Sequence, residues 1–192
     1  MTDGRIALIF YVLGAGADCA HFLCSGVTAM KNRARSLAHA AVIAALYAVL
    51  THMQNILLPN STSFAIQFRM AEALCVLAFF TPAAISGLTI GCLVYNLTFA
   101  AALPLDWLVG SLATYLAAWC MHRLRNHPLP GLLMPALTNA ILVGWELTVY
   151  IGGAFLVNAL YVAIGEAAVL LTLGALLYRA MAKRNLHTRL FG

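Results

Sequence analysis

Four of the six acidic residues in this chain, Glu72, Asp106, Glu146 and Glu166, lie within or at the edge of long apolar stretches. A carboxylate at the centre of a membrane helix costs roughly 2.5–3.5 kcal/mol on insertion scales. If all four faced lipid the cost would approach about 10 kcal/mol, comparable with the stability of a whole fold. They must instead face a cavity, a partner or an interface. In a water-poor site a carboxylate accepts paired hydrogen bonds or neutralises a cation. Asn139 lies seven residues before Glu146 and shares its helical face. Asn96 and Asn158 are further polar side chains in apolar surroundings, and Trp107, Trp145, Tyr150 and Tyr161 lie near the acids. An aromatic ring beside a carboxylate pocket stacks planar ligands, although interfacial belts use the same residues.

Ordinary readings stand beside these. Asp106 at a helix start reads as an N-cap with a dipole benefit. Glu72 has Arg69 three residues earlier on the same face. Asn96 suits an interhelical hydrogen bond. Glu146 and Glu166 have no cation nearby in sequence, which leaves ligand contact the stronger reading for Glu146 with Asn139.

The elements that must position these residues are apolar helices. Of 192 residues, 63% are hydrophobic and 9% charged, against about 25% charged in soluble domains. Lipid must therefore solvate much of the surface. Six spans of about 20 residues nearly exhaust the length. They are expected at 37–58, 66–80 (broken by Thr81-Pro82), 83–103, 105–121, 132–151 and 155–178. No strand alternation is visible, so the fold class is an all-α membrane protein with six transmembrane helices. Small residues mark contact faces: Ala41 and Ala45, with Ala40 and Ala44 one step round, on the first helix, and Gly87 and Gly91 on the third.

Basic residues set the direction. Nine of the 11 Lys and Arg residues fall at 31–35, 123–125 and 179–189, and with six crossings these places share one side. Cytoplasmic loops carry such an excess, so the N and C termini of the core are expected to be cytoplasmic. The net charge of +5 is thus topology, not a nucleic-acid face. Glu72, Asp106, Glu146, Asn96 and Asn158 then lie in the outer half and Glu166 near mid-membrane, which reads as a site loaded from outside. Residues 30–192 form this one domain. Residues 1–29 are expected to be an upstream extension; an additional helix or a cleaved signal peptide are the alternatives.

Missing motifs exclude functions. There is no G-x-x-x-x-G-K-[ST] loop, so the chain does not drive uptake with ATP by itself. There is no H-E-x-x-H and no G-x-S-x-G, and His39, His52 and His122 lie far apart. No enzyme, metal or cofactor site is expected.

The stretches Ile66-Gln67-Phe68-Arg69-Met70-Ala71-Glu72-Ala73-Leu74, Phe79-Phe80-Thr81-Pro82-Ala83-Ala84-Ile85, Gly91-Cys92 and Asn96 resemble the queuosine-precursor transporter family (QueT). So do Leu105-Asp106, Gly110-Ser111-Leu112-Ala113-Thr114, Gly144-Trp145-Glu146-Leu147 and the run from Asn158 to Glu166. The likeness covers about residues 35–180. Ser86, where proline is expected before Gly87, departs from it. The resemblance implies a substrate-capture (S) component of an energy-coupling-factor transporter in a bacterial cell membrane. Such subunits bind a vitamin-like solute from outside and dock on a membrane coupling protein with a pair of ATPases. The face of Ala41 and Ala45 resembles their docking surface. The implied substrate is a 7-deazaguanine base, the cyano or aminomethyl precursor of queuosine. Its N1–H and exocyclic amine suit one carboxylate, and Asn side chains serve the O6 acceptor. Glu146, Asn139, Asn158, Glu166, Glu72, Asn96, Asp106 and Tyr161 are the expected substrate contacts. An ion-coupled carrier, a membrane enzyme, or capture of riboflavin or thiamine are the competing readings.

Overall fold

The structure, a computed structural model, describes residues 32–59, 68–99, 105–183 and 186–191. Two compact units divide the chain, Met1–Ala38 and His39–Gly192, and all packing discussed below lies within the second. The reading of residues 1–29 falls outside the described residues.

Every element among the described residues is helical. Helix α1 spans Asn32–Leu57. A 3-10 helix, Met70–Phe79, follows, then α2 (Ala83–Thr98), α3 (Asp106–Arg123) and α4 (Pro128–Tyr150). Helix α5 runs over Phe155–Lys183 and contains one π-helical stretch, Leu170–Gly174. A short α6, Leu186–Phe191, ends the described chain. Helices α1, α4 and α5 are long and apolar enough to cross a membrane, while the 3-10 helix and α2 are shorter apolar helices. Large apolar side chains cover the outside: Ile56, Leu108, Leu129 and Leu156 are all more than 70% exposed. Water does not tolerate that surface over a whole molecule. This is an all-α membrane protein.

The breaks follow local chemistry. Pro82 ends the 3-10 helix and caps α2, since it lacks an N–H and its ring fixes φ. Pro128 opens α4, where the missing donor has no role. Gly152 and Gly153, at φ 84° and 89°, take the left-handed backbone that turns α4 into α5.

The second segment departs from the expected α geometry. A 3-10 helix rises about 2 Å per residue, so ten residues reach about 20 Å rather than 15 Å. Its three-residue turn also stacks Arg69, Glu72, Cys75 and Ala78 on one line, an alignment that α spacing does not give.

Two close approaches set the frame. A Cβ at Gly87 would lie 2.7 Å from the Ala40 carbonyl oxygen, and one at Gly91 would lie 2.7 Å from that of Ala44. Helices α1 and α2 therefore meet backbone to backbone through Ala40 and Ala44, which turns Ala41 and Ala45 outward and leaves them exposed. A Cβ at Gly144 would lie 2.8 Å from Ala159 Cα, which draws α4 equally close to α5.

At the basic end, the His122 Nδ1–H donates to the Ala78 carbonyl at 2.7 Å, and Phe79 and Phe80 pack on Tyr178. The start of the 3-10 helix lies at the opposite end. There the Gln54 side chain donates to the Phe68 carbonyl and accepts from the Met70 N–H at 2.8 Å. Successive helices thus alternate in direction.

Candidate substrate site

Buried polar side chains converge towards the end opposite the basic loops. Glu72, Glu146 and Glu166 are no more than 3% exposed, Asn139 is 1%, Asn96 2% and Arg69 7%. They come from the 3-10 helix, α2, α4 and α5. Ser111 joins them from α3.

Their hydrogen bonding sorts them into two groups. Glu72 is committed to the scaffold: Tyr47 Oη on α1 donates to its Oε1 at 2.6 Å, and Cys75 Sγ donates to Oε2 at 3.0 Å. Its oxygens are met by these two groups, not by the Arg69 that the sequence spacing offers as a partner. Asn96 is committed too, with its Nδ2 donating to the Asp106 carbonyl at 2.8 Å and tying α2 to the start of α3. Gly110 makes room for it, since a Cβ there would lie 2.9 Å from Asn96 Nδ2.

The second group is unpartnered. Both oxygens of Glu166, both polar atoms of the Asn139 amide, Oε1 of Glu146, Oγ of Ser111 and Nε of Arg69 are buried without a hydrogen-bond partner in the protein. Nearly all buried polar atoms in native proteins are paired, so orphans on four neighbouring elements call for a ligand or ordered water. Asn139 on α4 faces Glu166 on α5, close but outside hydrogen-bond geometry. Arg69 lies within electrostatic reach of both Glu146 and Glu166. Glu146 also meets the Asp106 side chain across the α3–α4 interface.

Of the remaining expected contacts, Asp106 borders the cluster through Glu146, while Asn158 and Tyr161 stand apart from it. Asp106 is the first residue of α3, where a carboxylate benefits from the helix dipole, and Leu105 occupies the cap position without a side-chain bond. Asn158 closes the α4–α5 turn: its Nδ2 donates to Thr148 Oγ1 at 3.0 Å and to the Gly152 carbonyl at 3.1 Å. Tyr161 is 40% exposed on the outside of α5. Sequence reasoning passed over Ser111, Tyr47 and Gln54, and treated Arg69 only as a partner for Glu72. A lone cation inside an apolar span was a signal available for Arg69.

The largest described cavity, about 580 Å³, opens beside this cluster rather than within it. It is lined by Leu57, Phe68, Met70, Val169 and Thr172 among others, and so runs along the residues that flank Arg69 and the turn that follows Glu166. Its walls are apolar. The orphaned polar atoms, not the cavity, mark the chemistry.

Residues 37–183 match the family model for the QueT transporter, which covers most of the chain. No curated protein and no solved structure matches it. The chain belongs to the QueT transporter family.

Proposed function

We propose that this QueT-family chain is the substrate-capture subunit of an energy-coupling-factor uptake system, and that its substrate is a 7-deazaguanine precursor of queuosine. The observation that carries the reading is the set of seven buried, unpartnered polar atoms on the 3-10 helix, α3, α4 and α5. Five of the seven belong to Glu146, Glu166 and Asn139. Carboxylates accept only, so this site asks for a ligand rich in N–H donors. A guanine-like base supplies a ring N–H beside an exocyclic amine, which one carboxylate accepts bidentately. The Asn139 amide adds one donor and one acceptor for another ring edge. An aminomethyl substituent would add a cation for a second carboxylate. Phosphorylated ligands fit poorly, because Arg69 alone would face three buried acids.

By the charge rule, the basic loops face the cytoplasm of a bacterial cell, and the site opens to the outside. The chain carries no nucleotide loop, so energy comes from a membrane coupling protein and its pair of ATPases. The outward small-residue face of Ala41 and Ala45 is the docking surface in this reading.

The test is a binding titration of the purified chain against deazapurines, riboflavin and thiamine. Saturable binding of a 7-deazaguanine, with none for the two vitamins, is the expected result. Binding of a vitamin instead, or uptake by the chain alone under an ion gradient, would overturn the proposal.

A further inference from the structure

We propose that Arg69 reads the carbonyl oxygen of the captured base through its guanidinium, and that Gln54 is the positioning residue that holds it there. The inference rests on the substrate class proposed above and adds the group that the carboxylates cannot supply. A guanine-like base carries a carbonyl acceptor next to its ring N–H. A wall of carboxylates pairs with the N–H but offers the carbonyl no donor. Arg69 supplies that donor in place of the Asn side chains expected from sequence, which leaves the Asn139 amide for another ring edge. An unpaired buried acceptor costs a large part of the affinity that the other bonds provide.

Arg69 is the only buried cation among the described residues. Its Nε has no hydrogen-bond partner in the protein. The Glu72 carboxylate one 3-10 turn away lies within electrostatic reach of Arg69, but its hydrogen bonds come from Tyr47 and Cys75, and none comes from the guanidinium. The guanidinium is therefore available to a ligand, and it shares its surroundings with Glu146 and Glu166.

Its placement is built by the backbone. Gln54 donates to the Phe68 carbonyl and accepts from the Met70 N–H, one contact on each side of Arg69. Both peptide groups flanking Arg69 are thereby fixed to α1. Across the site Gly110 presents no side chain, and Arg69 Nη1 lies 4.0 Å from the place a Cβ would occupy. The clamp fixes the backbone from which the side chain extends, and the missing side chain at Gly110 leaves room beside its guanidinium.

The experiment titrates 7-deazaguanine and its 6-thio analogue, which keeps the ring N–H and the amine but carries a weaker acceptor. Wild type, Arg69→Gln, Arg69→Lys and Gln54→Leu are compared after each is shown to be folded. For the oxo ligand, Arg69→Gln should lose roughly 10- to 100-fold in affinity, the range for a charge-assisted hydrogen bond. Wild type should prefer the oxo ligand, Arg69→Gln should not, and Arg69→Lys should keep part of the preference. Gln54→Leu should lower the preference while retaining binding, which a merely structural role would not do. An oxo preference unchanged in Arg69→Gln and Gln54→Leu, or absent from wild type, would overturn the inference and leave the substrate class standing. Failure of wild type to bind any deazapurine would remove both.

Discussion

Alanine at Gly91 should disturb both the frame and the site's support. The new methyl carbon would lie 2.7 Å from the Ala44 carbonyl oxygen and 2.8 Å from Tyr47 Cβ. The first is backbone and cannot rotate away, so α1 must move by several tenths of an ångström. Overpacking of this kind costs about 1–3 kcal/mol. Tyr47 moves with α1, and its 2.6 Å bond to Glu72 Oε1 is weakened. A hydrogen bond to a charged group is worth about 1.5–3 kcal/mol. If the bond is lost outright the sum is about 2.5–6 kcal/mol, or roughly 5–24 °C in Tm at the 2–4 °C per kcal/mol typical of a chain this size. Thermal unfolding in detergent measures it, with Tyr47→Phe as a reference that removes the hydroxyl alone. If Gly91→Ala acts partly through Tyr47, the double variant should lose less than the two single losses added. A Gly91→Ala protein as stable as wild type, or strict additivity, would refute this account of the α1–α2 contact.

Gly144→Ala should open the α4–α5 interface, because its methyl meets Ala159 Cα at 2.8 Å. It is expected to cost about 1–3 kcal/mol of stability and to weaken ligand binding by separating Glu146 and Asn139 from Glu166, as calorimetry on the folded protein would show. A bulky residue at Ala41 or Ala45 should reduce copurification with the coupling module and leave ligand affinity unchanged, since both positions face outward. ATP-driven uptake in proteoliposomes should require the coupling protein and its ATPases; sustained ATP-driven uptake by this chain alone would contradict the assignment.

The helices were legible because apolar runs bounded by Pro82, Asp106, Pro128 and the Gly152–Gly153 pair leave few other solutions. The burial of Glu72, Glu146 and Glu166 was legible too, since a lone carboxylate in an apolar span has nowhere else to go. The 3-10 geometry of Met70–Phe79 was not, because apolar composition is compatible with either helix and the choice depends on packing against α1, α3 and α5. That geometry lines up Arg69, Glu72 and Cys75, while Tyr47, distant in sequence, takes one Glu72 oxygen. Pairwise spacing along one helix therefore pointed to Arg69–Glu72, which do lie within electrostatic reach, and missed the hydrogen bonds from Tyr47 and Cys75. Asn158 shows the same limit: its sequence neighbours suggest a pocket residue, whereas the Gly152 turn places its amide on the loop.

The central claim is that the polar cluster between the last helices recognises the base edge, and Glu146→Gln tests it most directly. The substitution keeps the shape but replaces one acceptor with a competing donor. With its donors left unpaired in a water-poor site, a bidentate ligand should lose roughly 2–4 kcal/mol, about 30- to 1000-fold in affinity. Glu146→Ala should lose nearly the same. Calorimetric titration of the two variants and wild type with a 7-deazaguanine decides the matter once each is shown to be folded. Native affinity in Glu146→Gln would remove Glu146 from the site and contradict the placement of recognition on the α4–α5 face.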